Sequence, residues 1–197
     1  MSAVLGLLKN STKDLHDRLE SVSYAQQIMS KQLSLQQYYE IIYKNYLIYK
    51  QLEPRLNKNL TKIGQLFPQR FTSRRLKDLE NDLKYFKSTK KKSPSTTPFK
   101  ISEKDAAAWL GVLYVLEGSR LGGNVIVKAL KDNPNLKDVP EFHFYQQKEI
   151  NIRDRWVNFQ QAASKYILSE TQTANAINAA NFTFQYFYKI HQSELEF

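Results

Sequence analysis

Between Ala106 and Leu130 the chain carries an apolar run that reads as one long helix. Half of the protein's six glycines, Gly118, Gly122 and Gly123, nevertheless crowd into positions 118–123 of that run. A glycine inside a helix costs roughly 1 kcal/mol relative to alanine, so bare backbone must bring a compensating gain here. Gly118 and Gly122 lie one turn apart and share a face, which exposes a strip of main chain. Such a strip suits a close helix crossing, a kink, or a flat ligand laid against the backbone. The glycines alone leave these open.

The remainder of the chain also reads as helical. Val4 to Leu8 suggests a short first turn. Ser11 or Thr12 then suits a cap for a helix to about Met29, with Asp14 in its first turn and Leu15, Leu19 and Val22 on its core side. Ser34 caps a tyrosine-rich helix to about Lys58, whose stripe of Tyr39, Ile42, Tyr43, Tyr46, Tyr49 and Leu52 predicts a core face with hydroxyls at its edge. Pro54 should bend or interrupt it. A short segment at Leu60–Leu66 and a helix from Ser73 to Phe86 follow, and then the Lys- and Pro-bearing stretch Ser88–Lys100 reads as a solvated loop. Ser102 is the expected cap of the glycine-bearing helix, with Lys104 and Asp105 in its first turn. Helices from about Gln147 to Tyr166 and from about Ser169 onward close the chain. No run alternates as a strand would. The expectation is an all-α, compact, single-domain bundle of seven or eight helices over residues 1–197.

Composition narrows the function. The chain of 197 residues, 42% hydrophobic, suffices for one buried core. No apolar run reaches the roughly 18 residues of a membrane span and no signal-peptide pattern opens the chain, so a cytoplasmic protein is expected, with no membrane partner. With no cysteine, thiolate metal sites and thiol nucleophiles are excluded. The net charge of +10 suits an anionic partner, although a solvated basic surface explains it equally. No nucleic-acid-binding motif, phosphate-binding loop, dinucleotide fingerprint or His-Glu-x-x-His zinc site is present. A di-iron bundle would need Glu-x-x-His pairs, which neither His143 nor His191 offers.

His16 remains. It adjoins the apolar side of the first helix, and Lys9, His16 and Glu20 fall in line if that helix includes Lys9. A histidine there serves either as a boundary residue or as an iron ligand whose other ring nitrogen is oriented by Glu20.

His16 in Thr-Lys-Asp-Leu-His-Asp-Arg-Leu-Glu, the run Tyr114-x-x-Glu117-Gly118-Ser119-x-Leu121-Gly122-Gly123, and Ala-Ala-Asn-Phe-Thr-Phe from Ala179 together resemble the heme oxygenases. The likeness is greatest to the bacterial branch that includes enzymes associated with bacteriophytochromes, and it spans about residues 5 to 190. It implies that heme is both substrate and cofactor, held between a helix supplying His16 to iron and a kinked distal helix presenting Gly118, Ser119 and Gly122. The implied reaction opens the porphyrin to biliverdin, carbon monoxide and ferrous iron, using O2 and electrons from an external reductase or ferredoxin. An acidic donor would suit the basic chain. Lys9 and Tyr114 match positions that meet the heme propionates. Many heme oxygenases carry aspartate where this chain has Ser119, so proton delivery would run through ordered water. Two other readings of the same fold are a heme-binding protein without turnover and a heme-free interaction module. Thiamin-degrading relatives rely on a cysteine, which this chain lacks.

Overall fold

The computed structural model of the chain describes residues 3–63, 73–86, 98–102, 104–146 and 151–195. Among the described residues there are helices and no strands, as the periodicity predicts. The elements are α1 (Ala3–Val22), α2 (Ala25–Met29), α3 (Leu35–Ile63), α4 (Arg75–Leu83), α5 (Ala106–Arg120), α6 (Gly123–Lys131), α7 (His143–Gln146), α8 (Ile152–Tyr166) and α9 (Glu170–Gln192), with a 3-10 turn at Pro134–Leu136. Apart from the single turns α2 and α7, the segments form the expected helical bundle.

The bundle is built around α5. Its sequence is apolar on every side, and a helix of that kind is stable only when surrounded. Ala107 to Leu113 and Val115 to Leu116 are all buried. Asp105 caps α5 by accepting from Ala108 N at 3.1 Å, and it also accepts from Asn175 Nδ2 of α9 at 2.7 Å. The helix therefore starts beyond Ser102, the expected cap, whose carbonyl instead accepts from Trp109 Nε1 at 3.0 Å. The close helix crossing falls at Gly111. A Cβ there would stand 2.1 Å from the carbonyl oxygen of Ala176 on α9. Buried Ala176, Ala179 and Ala180 give α9 the small side chains that such an approach needs.

Three expectations about boundaries are corrected. The first helix is continuous from Ala3, so Val4–Leu8 is not a separate turn and neither Ser11 nor Thr12 is a cap. Thr12 is buried inside α1, where its hydroxyl donates to Leu8 O at 2.8 Å. The helix also stops at Val22 instead of running to Met29, because Tyr24 adopts a left-handed φ of 57° and its hydroxyl donates to Glu40 of α3 at 2.8 Å. A tertiary tie outweighs the local preference for helix there.

The third correction concerns α3, which runs through Pro54 to Ile63. Side chains beside the proline anchor the neighbouring segment. Glu53 Oε2 accepts from Ser73 Oγ at 2.8 Å and from Leu76 N at 3.0 Å, which caps α4 from another helix. Asn57 pairs with both the N–H and the carbonyl of Ser73, at 2.9 and 3.0 Å. Such anchoring offsets the hydrogen bond lost at proline. Of the stripe, Tyr39, Ile42, Tyr49 and Leu52 are buried, while Tyr43 and Tyr46 are half-buried at its edge. Ser34 caps α3 as expected, and α9 starts after Ser169, whose side chain forms a capping box with Gln172. Residues 64–66, most of the Ser88–Lys100 loop and 147–150 at the start of the next expected helix lie outside the described residues.

Candidate functional site

Helix α1 buries Val4, Leu5, Leu8 and Thr12 against the bundle, and Leu15 and Leu19 continue that face half-buried. His16 follows Leu15 at the boundary with its side chain 54% exposed. Its Nδ1 lies 3.7 Å from Asp17 Oδ1 and 3.7 Å from Glu20 Oε1, within ion-pair range but longer than a hydrogen bond. Both carboxylates lie on the Nδ1 side of the ring, which leaves Nε2 on the side away from them. Phe184 of α9 meets the imidazole edge-on, with centroids 5.8 Å apart. Lys9 is exposed two turns earlier on the same continuous helix. His16, Asp17 and Glu20 form a group, among the described residues, whose potential metal-ligating atoms all lie within 4.8 Å of one another.

The other wall comes from α5 and α6. The apolar run that reads as one helix is divided at Leu121–Gly122. Leu121 N donates to Gly118 O at 3.1 Å, while the Gly122 carbonyl accepts from Val125 and Ile126 at 3.1 Å each. The break thus separates one finished helix from a freshly started one, with Gly123 buried at the start of α6. Gly118 is half-buried, and Ser119 and Gly122 are exposed.

Among the described residues, no backbone of a neighbouring helix approaches Gly118 or Gly122 as Ala176 approaches Gly111. A Cβ at Gly118 would have, among the described residues, only Trp156 Cη2 and Cζ3 within reach, at 4.0 Å, and one at Gly122 only the Ile126 Cδ1 of its own helix, at 3.8 Å. Ser119 donates its hydroxyl to Leu116 O at 2.8 Å, leaving the oxygen lone pairs to accept.

Tyr114 links the two walls. Half-buried one turn before Gly118, it hydrogen-bonds the side chain of Thr12, one turn before His16. Burial raises its pKa, and the Thr12 bond opposes the rise.

Behind the strip sits a charged clamp that sequence reasoning did not find. Glu117, buried, receives Arg155 of α8 through Nε at 2.6 Å and Nη2 at 3.0 Å. Arg120, equally buried, places Nε 3.4 Å from the same carboxylate. Arg120 therefore faces the interior of the bundle, not solvent. Phe184, Trp156 and Arg155 were legible only as helical residues, because nothing in their spacing shows which helix face they meet.

An open glycine strip, a histidine with carboxylates beside one nitrogen, and aromatic rings flanking both suit a flat metal-bearing macrocycle. The donor set fits heme: α1 carries an imidazole able to take iron, and the end of α5 carries main chain uncrowded by the described residues. The heme oxygenase family profile matches residues 2–193, and the chain belongs to that family. A heme oxygenase of Xanthomonas campestris pv. campestris (strain 8004) is 35% identical over 85 residues, a match that spans 43% of this chain and 49% of that protein. The structure of heme oxygenase from Leptospira interrogans superposes with a TM-score of 0.70 at 19% identity, covering 96% of this chain and 98% of that one. At that identity the likeness is one of fold. Among the described residues no helix is long and apolar enough to cross a membrane.

Proposed function

We propose that the chain, as one heme-oxygenase-like domain over residues 1–197, cleaves heme oxidatively to biliverdin in the cytoplasm. The observation that carries the reading is the contrast along one helix. Among the described residues Gly111 is filled by a neighbour's main chain, whereas Gly118 and Gly122 are not, which supports a role for those two glycines other than helix packing. When bound, heme supplies the iron at which O2 is activated and the porphyrin that is consumed, with carbon monoxide and ferrous iron as the other products.

The chain's own residues bind and orient. His16 would hold the iron through its imidazole, with Asp17 and Glu20 each 3.7 Å from Nδ1 as the carboxylates nearest its other nitrogen. Gly118, Ser119, Gly122 and Gly123 would border the face of a bound heme opposite His16, where bare backbone at Gly118 and Gly122 keeps side-chain bulk away from the ring. Ser119 accepts a hydrogen bond from a water while it donates to Leu116 O, so it holds a proton donor near the site without an ionisable group of its own. Lys9 through its ammonium and Tyr114 through its hydroxyl would meet the propionates. Electrons come from an external acidic donor protein, whose association weakens with salt.

The test is a hemin titration followed by reduction in air. Saturable binding with a histidine-type absorption spectrum, lost in His16→Ala, and conversion to a bile pigment are expected. Heme that binds but survives many equivalents of reductant would refute turnover, and the absence of a saturable site would refute the assignment altogether.

A further inference from the structure

The contacts of Trp156 single it out. Its Cη2 and Cζ3 are the atoms nearest to where a Gly118 side chain would project, both at 4.0 Å. The indole stacks on Phe159 of its own helix, with centroids 5.3 Å apart and planes 28° apart, and it tilts against Tyr114 at 6.1 Å. Tyr114 in turn meets Phe159 at 6.4 Å, so three rings brace one another beside the glycine strip. The preceding residue, Arg155, is bound through two nitrogens to Glu117, the residue preceding Gly118. Both partners of that clamp are largely withdrawn from water, at 11% and 3% exposure. Helix α8 is therefore pinned to α5 one residue away from the place where the indole meets the glycine. A bidentate guanidinium–carboxylate pair fixes orientation as well as distance.

From this juxtaposition we infer that Trp156 is a specificity-determining residue: the tip of its indole is the stop against which a planar macrocycle on the Gly118–Gly122 strip seats. The inference rests on the proposed heme reading and adds to it what fixes the ring in its own plane. Iron on a histidine leaves rotation about the iron–nitrogen axis free. Exposed, flexible Lys9 on α1 is poorly suited to stop that rotation alone. A tryptophan has two side-chain torsions, and this one is stacked on one ring and tilted against another, so it yields little. Pushed against such an edge, a disc turns until its projecting substituents clear it. The seating decides which ring-edge carbon faces the space above Gly118, and so which biliverdin isomer forms.

The experiment compares wild type, Trp156→Phe and Trp156→Ala by two readouts. One is the hyperfine-shifted heme methyl proton spectrum of the ferric, cyanide-ligated complex, which reports in-plane seating without turnover. The other is the isomer composition of the bile pigment after reduction in air. Trp156→Ala should shift the ratio of seatings, and of isomers, by about 3- to 10-fold, the range that one aromatic contact carries. Trp156→Phe, which retains a ring on Phe159, should fall between. A Trp156→Ala complex that binds hemin and keeps the wild-type seating overturns this inference and leaves the proposed function standing. A wild-type protein that binds no hemin overturns both. Urea midpoints of the three proteins identify a variant that fails to fold, in which case Trp156→Phe alone decides.

Discussion

Two glycines seven residues apart on α5 are predicted to respond oppositely to the same substitution. At Gly111 an alanine Cβ would lie 2.1 Å from Ala176 O and 2.8 Å from Ala176 C, over an ångström short of ordinary contact. Both obstacles are main chain, so no rotamer change relieves the overlap and α9 must move. Overpacking of this kind costs roughly 1–3 kcal/mol, and a backbone clash belongs at the upper end even after about 1 kcal/mol of regained helix propensity. For a chain of this size that lowers Tm by about 5–10 °C. At Gly118 the alanine methyl meets only the indole rim at 4.0 Å, an ordinary contact. Gly118→Ala should therefore stabilise the heme-free protein by up to about 1 kcal/mol, raising Tm by about 2–4 °C. The same methyl stands where the substrate is proposed to lie, so bile-pigment formation should fall by about tenfold or more, equivalent to about 1.4 kcal/mol or more of lost transition-state stabilisation. Thermal and urea unfolding of both variants, with single-turnover kinetics on Gly118→Ala, test the pair. Equal destabilisation at the two positions, or a Gly118→Ala protein with unaltered turnover, would show that the glycines share one packing role and that the reasoning is wrong.

Other consequences are more local. Glu117→Gln leaves Arg155 and Arg120 buried beside a neutral amide and should cost about 3–5 kcal/mol in urea unfolding, as breaking a buried pair does; a change under about 1 kcal/mol would show the clamp to be solvated. Asp105→Ala removes the α5 cap and the acceptor for Asn175, with an expected loss of about 1–2 kcal/mol, and an unchanged urea midpoint would count against the cap. His191 is buried, and burial, assisted by Lys44, lowers its pKa to about 3. Below the ordinary value of 6.5 the unfolded chain takes up a proton that the folded chain refuses, so stability falls as pH drops from about 6.5 toward 3, by at most about 1.4 kcal/mol per pH unit. His191→Leu should flatten that acid slope, and a variant with the wild-type slope would disprove the assignment.

The glycine strip was legible in sequence because glycine in a helix is conspicuous for what it costs. Gly111 carries the same chemistry in the same helix, yet its role depends on where α9 passes, which no spacing within α5 records. The small residues Ala176, Ala179 and Ala180 were visible as a stripe, but their partner was not. Caps were ambiguous for a related reason: Ser102 and Asp105 are both good capping residues, and the Asn175 bond from α9 favours the second. Thr12 reads as a helix start and serves inside a helix, since its hydroxyl satisfies itself on Leu8. Trp156 and Phe184, which border the proposed site, occupy helical positions like any core aromatic. What sequence displays is the residue that breaks a local rule, and what it conceals is the neighbour that makes breaking the rule worthwhile.

The Gly111 crossing has a mechanical consequence. Helix α5 is rooted at its first half, where capping and main-chain contact with α9 leave no play, and it ends at a joint beside Gly122 where no other helix's backbone presses on it. A beam clamped at one end flexes mostly at its tip. Bending that would admit the proposed disc-shaped ligand is expected at the last turn and the joint beyond it, well away from the hydrophobic centre around Gly111.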